Sequence, residues 1–161
     1  MNQWGQQPAN VQQVYTVVFK ALTARPNVIF VMADDISHSV FTYYNSNSGS
    51  RTPNLDKLAE NGVRLTDFHV SPSCAPTRAA LMTGRSNDVA GVWHTIYGRS
   101  QLRADEITMA DVFKHNGYAT GMFFKWHLGD NYPFRPKDRG FEYVAWTKGG
   151  GIGQAPDYWG T

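Results

Sequence analysis

A single cysteine stands among the 161 residues. That excludes an internal disulfide framework and any zinc site built from several thiolates; if this residue matters, it matters as chemistry. No large charge excess exists either: fifteen Lys and Arg against thirteen Asp and Glu leave a net +2, with the basic residues scattered rather than striped. Such a surface implies no nucleic-acid partner. No window approaches the roughly 20 apolar residues that a membrane-spanning helix needs. Internal repeats and long charge runs are also missing. What is present is core material, 42% hydrophobic and 14% aromatic residues, which excludes a disordered tail, a low-complexity linker or a collagen-like fibre. The length suits one domain, two at most.

Residues 1–24 read as a poorly ordered leader. Within it, residues 14–22 (VYTVVFKAL) faintly resemble the end of an export signal, but no Lys or Arg precedes them and Lys20 breaks the apolar run. Order is expected to begin at Arg25-Pro26. Residues 27–32 (NVIFVM) form a β-branched apolar run that predicts a buried strand. Thr52-Pro53 predicts a helix start, with Leu55, Leu58 and Ala59 on one face and Asn61-Gly62 as the stop. Residues 63–70 predict a strand whose alternation changes phase between Leu65 and Phe68. Thr108 with Asp111 three residues on predicts a second helix, its apolar face Met109, Val112 and Phe113 and its stop Gly117. Residues 118–124 and part of 140–146 follow as extended segments, and residues 148–161 read as an active-site loop interrupted in mid-course. Strands alternating with helices predict an α/β fold.

The sharpest feature is residues 71–85, SPSCAPTRAALMTGR. Ser71 or Ser73 can cap a helix whose first turn holds Pro76. Cys74 then sits at or just before the N-terminus, where unpaired N–H groups favour an anion. Arg78 lies one turn along on the same side. A polarised nucleophile beside a cation suits attack on an anionic ester. An arbitrary lone cysteine is more often a small buried hydrophobe, and Arg78 could be a surface charge. Here Cys74-Ala75-Pro76-Thr77-Arg78, followed by Leu81-Met82-Thr83-Gly84-Arg85, resembles the signature of the sulfatase family, a C-x-P-S/T-R motif with a T-G-R tail. The resemblance implies that a formylglycine-generating enzyme oxidises Cys74 to formylglycine, a built-in cofactor whose hydrated form is the nucleophile.

Two further blocks accompany it. Asp34 and Asp35 end the first apolar run, and adjacent carboxylates are hard donors suited to Ca²⁺ or Mg²⁺; by themselves such pairs are more often turns or helix caps. Their context, from Arg25 to Asp35, resembles the opening strand of sulfatases, which implies that Asp34, Asp35 and the modified Cys74 bind a divalent cation, Ca²⁺ ahead of Mg²⁺. Ser37 stands where the family often has glycine. Lys125 and His127, in Lys125-Trp126-His127-Leu128-Gly129, would project to one side of an extended segment. This block resembles the family's G-K-W-H-L-G, with Phe124 in place of the glycine, and implies that Lys125 and His127 contact the sulfate and the formylglycine. His94 reads as a structural histidine rather than part of a substrate cleft. Gly151-Ile152-Gly153 lacks the third glycine and the setting of a dinucleotide loop.

The resemblance covers about residues 25–161. It implies an α/β fold of alkaline-phosphatase and sulfatase type, a mixed, mostly parallel sheet flanked by helices, here incomplete. It implies a sulfuric ester hydrolase acting on a sulfated glycan or an aryl sulfate, with Cys74, Arg78, Lys125 and His127 catalytic. The family supplies further metal ligands, another histidine and another lysine from sequence downstream, so the chain reads as the N-terminal portion of a catalytic domain. Two alternatives stand beside this: a phosphate or phosphonate ester hydrolase of the same superfamily, and an inactive fragment. Family analogy suggests a periplasmic or secreted protein; the leader is no clear signal peptide, and a cytoplasmic location stays open.

Overall fold

The structure is a computed structural model, and it describes residues 25–150 except 48 and 97. The leader and the end of the 148–161 loop lie outside the described residues. The chain divides into two units, Met1–Ala33 and Asp34–Thr161. Of the first unit, residues 25–33 carry no regular secondary structure and are largely exposed, Val31 at 89% and Ile29 at 85%. The strand expected at residues 27–32 is therefore not formed. An apolar run becomes a strand only when a neighbour accepts and donates along its backbone, and among the described residues no ladder includes it.

The second unit holds three helices, α1 (Pro53–Asn61), α2 (Cys74–Thr83) and α3 (Met109–His115), and two strands, β1 (Gly121–Lys125) and β2 (Tyr143–Thr147). The strands pair in parallel, Gly121 opposite Tyr143 and Lys125 opposite Thr147. A parallel pair needs a long crossover, here residues 126–142 with a 3-10 turn at Pro136–Asp138. The strand expected at residues 63–70 is absent. A turn at Thr66 and Asp67 breaks it where the alternation changes phase, and the Leu65 carbonyl accepts the Tyr44 hydroxyl instead of a ladder amide.

Local signals set the helix ends. Thr108 and Asp111 form a reciprocal capping box: Thr108 N–H donates to Asp111 Oδ2 at 2.9 Å and Asp111 N–H to Thr108 Oγ1 at 3.2 Å. Gly84 ends α2 at φ 66°, its N–H donating to the Ala80 carbonyl, a left-handed stop that glycine adopts without Cβ strain. Arg85, just beyond, grips both oxygens of the buried Glu106 carboxylate at 3.0 and 3.2 Å. The Thr-Gly-Arg tail is thus a helix stop and an anchor.

The core gathers around α2. Ala75 and Ala79 are fully buried and pack in one cluster with Ala90, Val92, Leu102, Met122, Trp126 and Leu128. The two alanines give α2 a buried face without bulky side chains, and Trp126 is the largest side chain buried in the same cluster. The Trp126 indole N–H donates to the Phe134 carbonyl at 2.8 Å, and its ring meets Phe141 edge-on. Gly140, at φ 89°, lies so close to α3 that a Cβ would meet the backbone of Ala110 and Asp111. The same corner is tied by Thr108 Oγ1 donating to the Arg139 carbonyl and Thr120 Oγ1 to the Gly140 carbonyl. α1 has no buried residue; its expected apolar face is exposed at Leu55 and Leu58.

Candidate active site

Cys74 is the first residue of α2 and is partly buried. Ser73 is the N-cap by backbone conformation, but its side chain makes no cap bond. The Cys74 Sγ lies 3.3 Å from His127 Nδ1. One turn along, Arg78 is 7% exposed. Its Nη1 donates to the Lys125 carbonyl at 2.6 Å and its Nη2 lies 3.9 Å from Asp34 Oδ2, while Nε has no partner among the described residues. Lys125 Nζ meets the same Asp34 oxygen at 2.5 Å. Helix α2, the end of β1 and Asp34 therefore converge on one spot.

Lys125 and His127 converge as expected from the sequence, but by a different geometry. β1 stops at Lys125, and the backbone turns left-handed at Phe124 (φ 69°) and again at His127 (φ 63°). Extended alternation does not carry these side chains; two positive-φ residues flanking Lys125-Trp126 do. Phe124 thus stands in a conformation that glycine adopts freely and other residues rarely do. The His127 ring is then held from its far side, Nε2 donating to the Thr95 carbonyl at 3.0 Å. A carbonyl only accepts, so Nε2 carries the proton and Nδ1 presents its lone pair to Cys74. Thr95 is the member that sequence reading missed, because it contributes a backbone atom that any residue owns.

Burial pushes His127 below its ordinary value of 6.5; the Thr95 bond opposes this, the Lys125 and Arg78 charges reinforce it, and Asp130 opposes it. Above about pH 6.5 the ring is neutral whether the chain is folded or not. As pH falls through the window between the ordinary and the folded value, the unfolded chain binds the proton first and stability is lost. The His127→Gln variant is expected to lose less stability than the parent between pH 7.5 and 5, read from urea midpoints at the two values. Equal losses would show that His127 makes no such contribution. Arg78 is likewise lowered by burial, with Asp34 and Cys74 opposing, and stays a cation.

Asp35 is exposed, in a left-handed backbone (φ 55°), and joins none of these ion pairs among the described residues. Nor does any group of three or more His, Cys, Asp and Glu side chains converge as a metal site among them. Calcium takes six to eight oxygens, so the Asp34 and Asp35 pair suits the ion in donor type but does not enclose it. Arg78 and Lys125 both face the single carboxylate of Asp34, beside Cys74 at the head of α2. His94 is exposed, its Nδ1 accepting the Ile96 backbone N–H. No helix among the described residues is long and apolar enough to cross a membrane.

The Sulfatase family model matches residues 26–155, a span that includes every residue of this cluster. The chain belongs to the sulfatase family. Its relatives include arylsulfatase G of Mus musculus, 36% identical over 150 residues, which span 89% of this chain and 28% of that protein. Arylsulfatase of Klebsiella aerogenes is 40% identical over 142 residues, 83% of this chain and 30% of that one. Human arylsulfatase A is 42% identical over 127 residues, 75% and 25% respectively. This sulfatase-family chain therefore spans under a third of each of these relatives. Among solved structures, Ps i-CgsB aligns with a TM-score of 0.69 at 32% identity, over 79% of this chain and 29% of that one. The PsFucS1 sulfatase from Pseudoalteromonas aligns at 0.62 and 32%, over 70% and 24%. These neighbours share the α/β architecture of alkaline-phosphatase type to which the helices and parallel strand pair belong.

Proposed function

We propose that this sulfatase-family chain carries the nucleophile region of a sulfuric ester hydrolase, with Cys74 converted to formylglycine by a formylglycine-generating enzyme. The observation that carries the reading is the convergence of His127 Nδ1 on Cys74 Sγ, at 3.3 Å, beside Arg78 and Lys125. Hydrated formylglycine supplies an oxygen nucleophile and a second hydroxyl whose collapse releases sulfate, which a cysteine thiol lacks. The chain's own groups do the rest. Arg78, held by the Lys125 carbonyl, keeps a fixed positive charge beside position 74. Lys125 neutralises charge growing on the sulfuryl oxygens, an electrostatic contribution that is often the largest in such transfers. His127 Nδ1 accepts the proton of the group at position 74, its neutral state favoured by burial. Asp34 and Asp35 would supply two of the oxygens that hold Ca²⁺, a Lewis acid for anionic oxygens, in company with ligands beyond those described.

Sulfated glycans are the favoured substrate class, with aryl sulfates as convenient reporters. One neighbour, aligned at 31% identity and a TM-score of 0.64, is described in complex with k-i-k-neocarrahexaose. A periplasmic or secreted location fits that class.

The test is to co-express the chain with a formylglycine-generating enzyme, confirm conversion of Cys74 by mass spectrometry, and supply calcium with an aryl sulfate and an aryl phosphonate side by side. Faster turnover of the sulfate supports the reading. Preference for the phosphonate would assign the chain to ester hydrolysis at phosphorus, and converted Cys74 with neither substrate turned over would deny activity to this chain alone.

A further inference from the structure

The segment holding Trp93 to Ile96 and Arg99 lies outside the motifs that point to sulfate chemistry, yet it touches His127. Its backbone closes on itself: the Trp93 and His94 N–H groups both donate to the Arg99 carbonyl, at 3.2 and 3.3 Å, and the Arg99 N–H donates to the Ile96 carbonyl at 2.9 Å. The Arg99 guanidinium lies 4.6 Å over the Trp93 ring. Across the middle, His94 Nδ1 accepts the Ile96 N–H at 3.2 Å, with Thr95 Oγ1 3.5 Å away. The imidazole therefore holds the peptide unit that joins Thr95 to Ile96, whose carbonyl is the partner of His127 Nε2.

We propose that His94 is a positioning residue: by tying down the Ile96 amide it fixes the Thr95 carbonyl, which in turn fixes the His127 tautomer with its Nδ1 lone pair toward position 74. The inference rests on the reading of His127 as the base in the proposed reaction. An imidazole with no partner at Nε2 populates both neutral tautomers, and in the wrong one the nitrogen facing position 74 is a donor that can take no proton. Second groups that orient a reactive histidine commonly act this way, through the nitrogen that does no chemistry. His94 is exposed, so its removal opens no cavity. The bond that it makes is the one contact of its ring that reaches the turn backbone among the described residues.

The tautomer can be read without turnover, which separates this proposal from the sulfatase reaction itself. The whole chain is labelled with ¹⁵N-histidine, and long-range ¹H–¹⁵N spectra are recorded at about pH 8, where ordinary imidazoles are neutral. Its five histidines are sorted with His127→Gln. The parent is expected to show His127 protonated at Nε2. In His94→Ala the ratio of Nε2–H to Nδ1–H forms is expected to fall about fivefold, the size of one net hydrogen bond. In His94→Asn, whose amide oxygen can accept near the place of Nδ1, the ratio is expected to recover. A parent protonated at Nδ1, an unchanged ratio in His94→Ala, or the same loss in His94→Asn would each overturn the proposal.

Discussion

Cys74→Ala abolishes sulfate-ester turnover by the matured chain: this is the largest effect expected of any single substitution. Alanine offers no sulfur to oxidise and so no aldehyde carbon. The substitution is mild for the fold. Alanine is the best helix former, the position is the first of α2, and the lost contact is one weak S–H bond to His127. Loss of turnover with an unchanged melting curve therefore reports chemistry. The comparison is made with the parent under the same co-expression, by aryl sulfate hydrolysis and thermal unfolding. Retained turnover would take Cys74 out of the reaction.

Arg78→Ala is expected to remove activity and fold stability together. The guanidinium is buried and makes a charge-assisted bond to the Lys125 carbonyl, a class worth roughly 1.5–3 kcal/mol. Its contact with Asp34 is long and the carboxylate is one-third exposed, so screening leaves it a small addition. A loss of about 2–3 kcal/mol is expected from urea unfolding. Losing the bond also frees the Lys125 peptide, from which both Lys125 and His127 are aimed. Arg78→Lys is expected to recover only part of this, since a single ammonium cannot reproduce the planar fork that faces the carbonyl and Asp34 at once. A variant as stable as the parent would mean that the Lys125 carbonyl finds another donor.

Much of the centre was legible because its signals are local. The helix from Cys74, its glycine stop, the Thr108–Asp111 box and the two late strands follow from capping chemistry and apolar spacing within a few residues. Cys74, Arg78, Lys125 and His127 do meet. The route by which they meet was hidden, since the left-handed turns at Phe124 and His127 belong to residue types that do not advertise them. Residues 27–32 and 63–70 misled for the opposite reason. Their composition suits strands, but strand formation is decided by a partner's backbone and not by the run itself. Asp34 was read as a metal donor from its type; the structure adds that the same oxygen pairs with Lys125 and faces Arg78. Thr95 left no trace in the sequence, because its contribution is a peptide oxygen.

The burial of α2 also sets an order in time. Cys74 is flanked by Ala75 and by Ala79 one turn on, both without solvent exposure, and its sulfur already faces His127. A second enzyme that must grip this segment to oxidise the cysteine cannot do so without prising the helix from Trp126 and Met122. The proposed conversion therefore belongs to the young chain, before α2 docks. On the proposed reading, a molecule that folds first would hold Cys74 against His127 before its conversion.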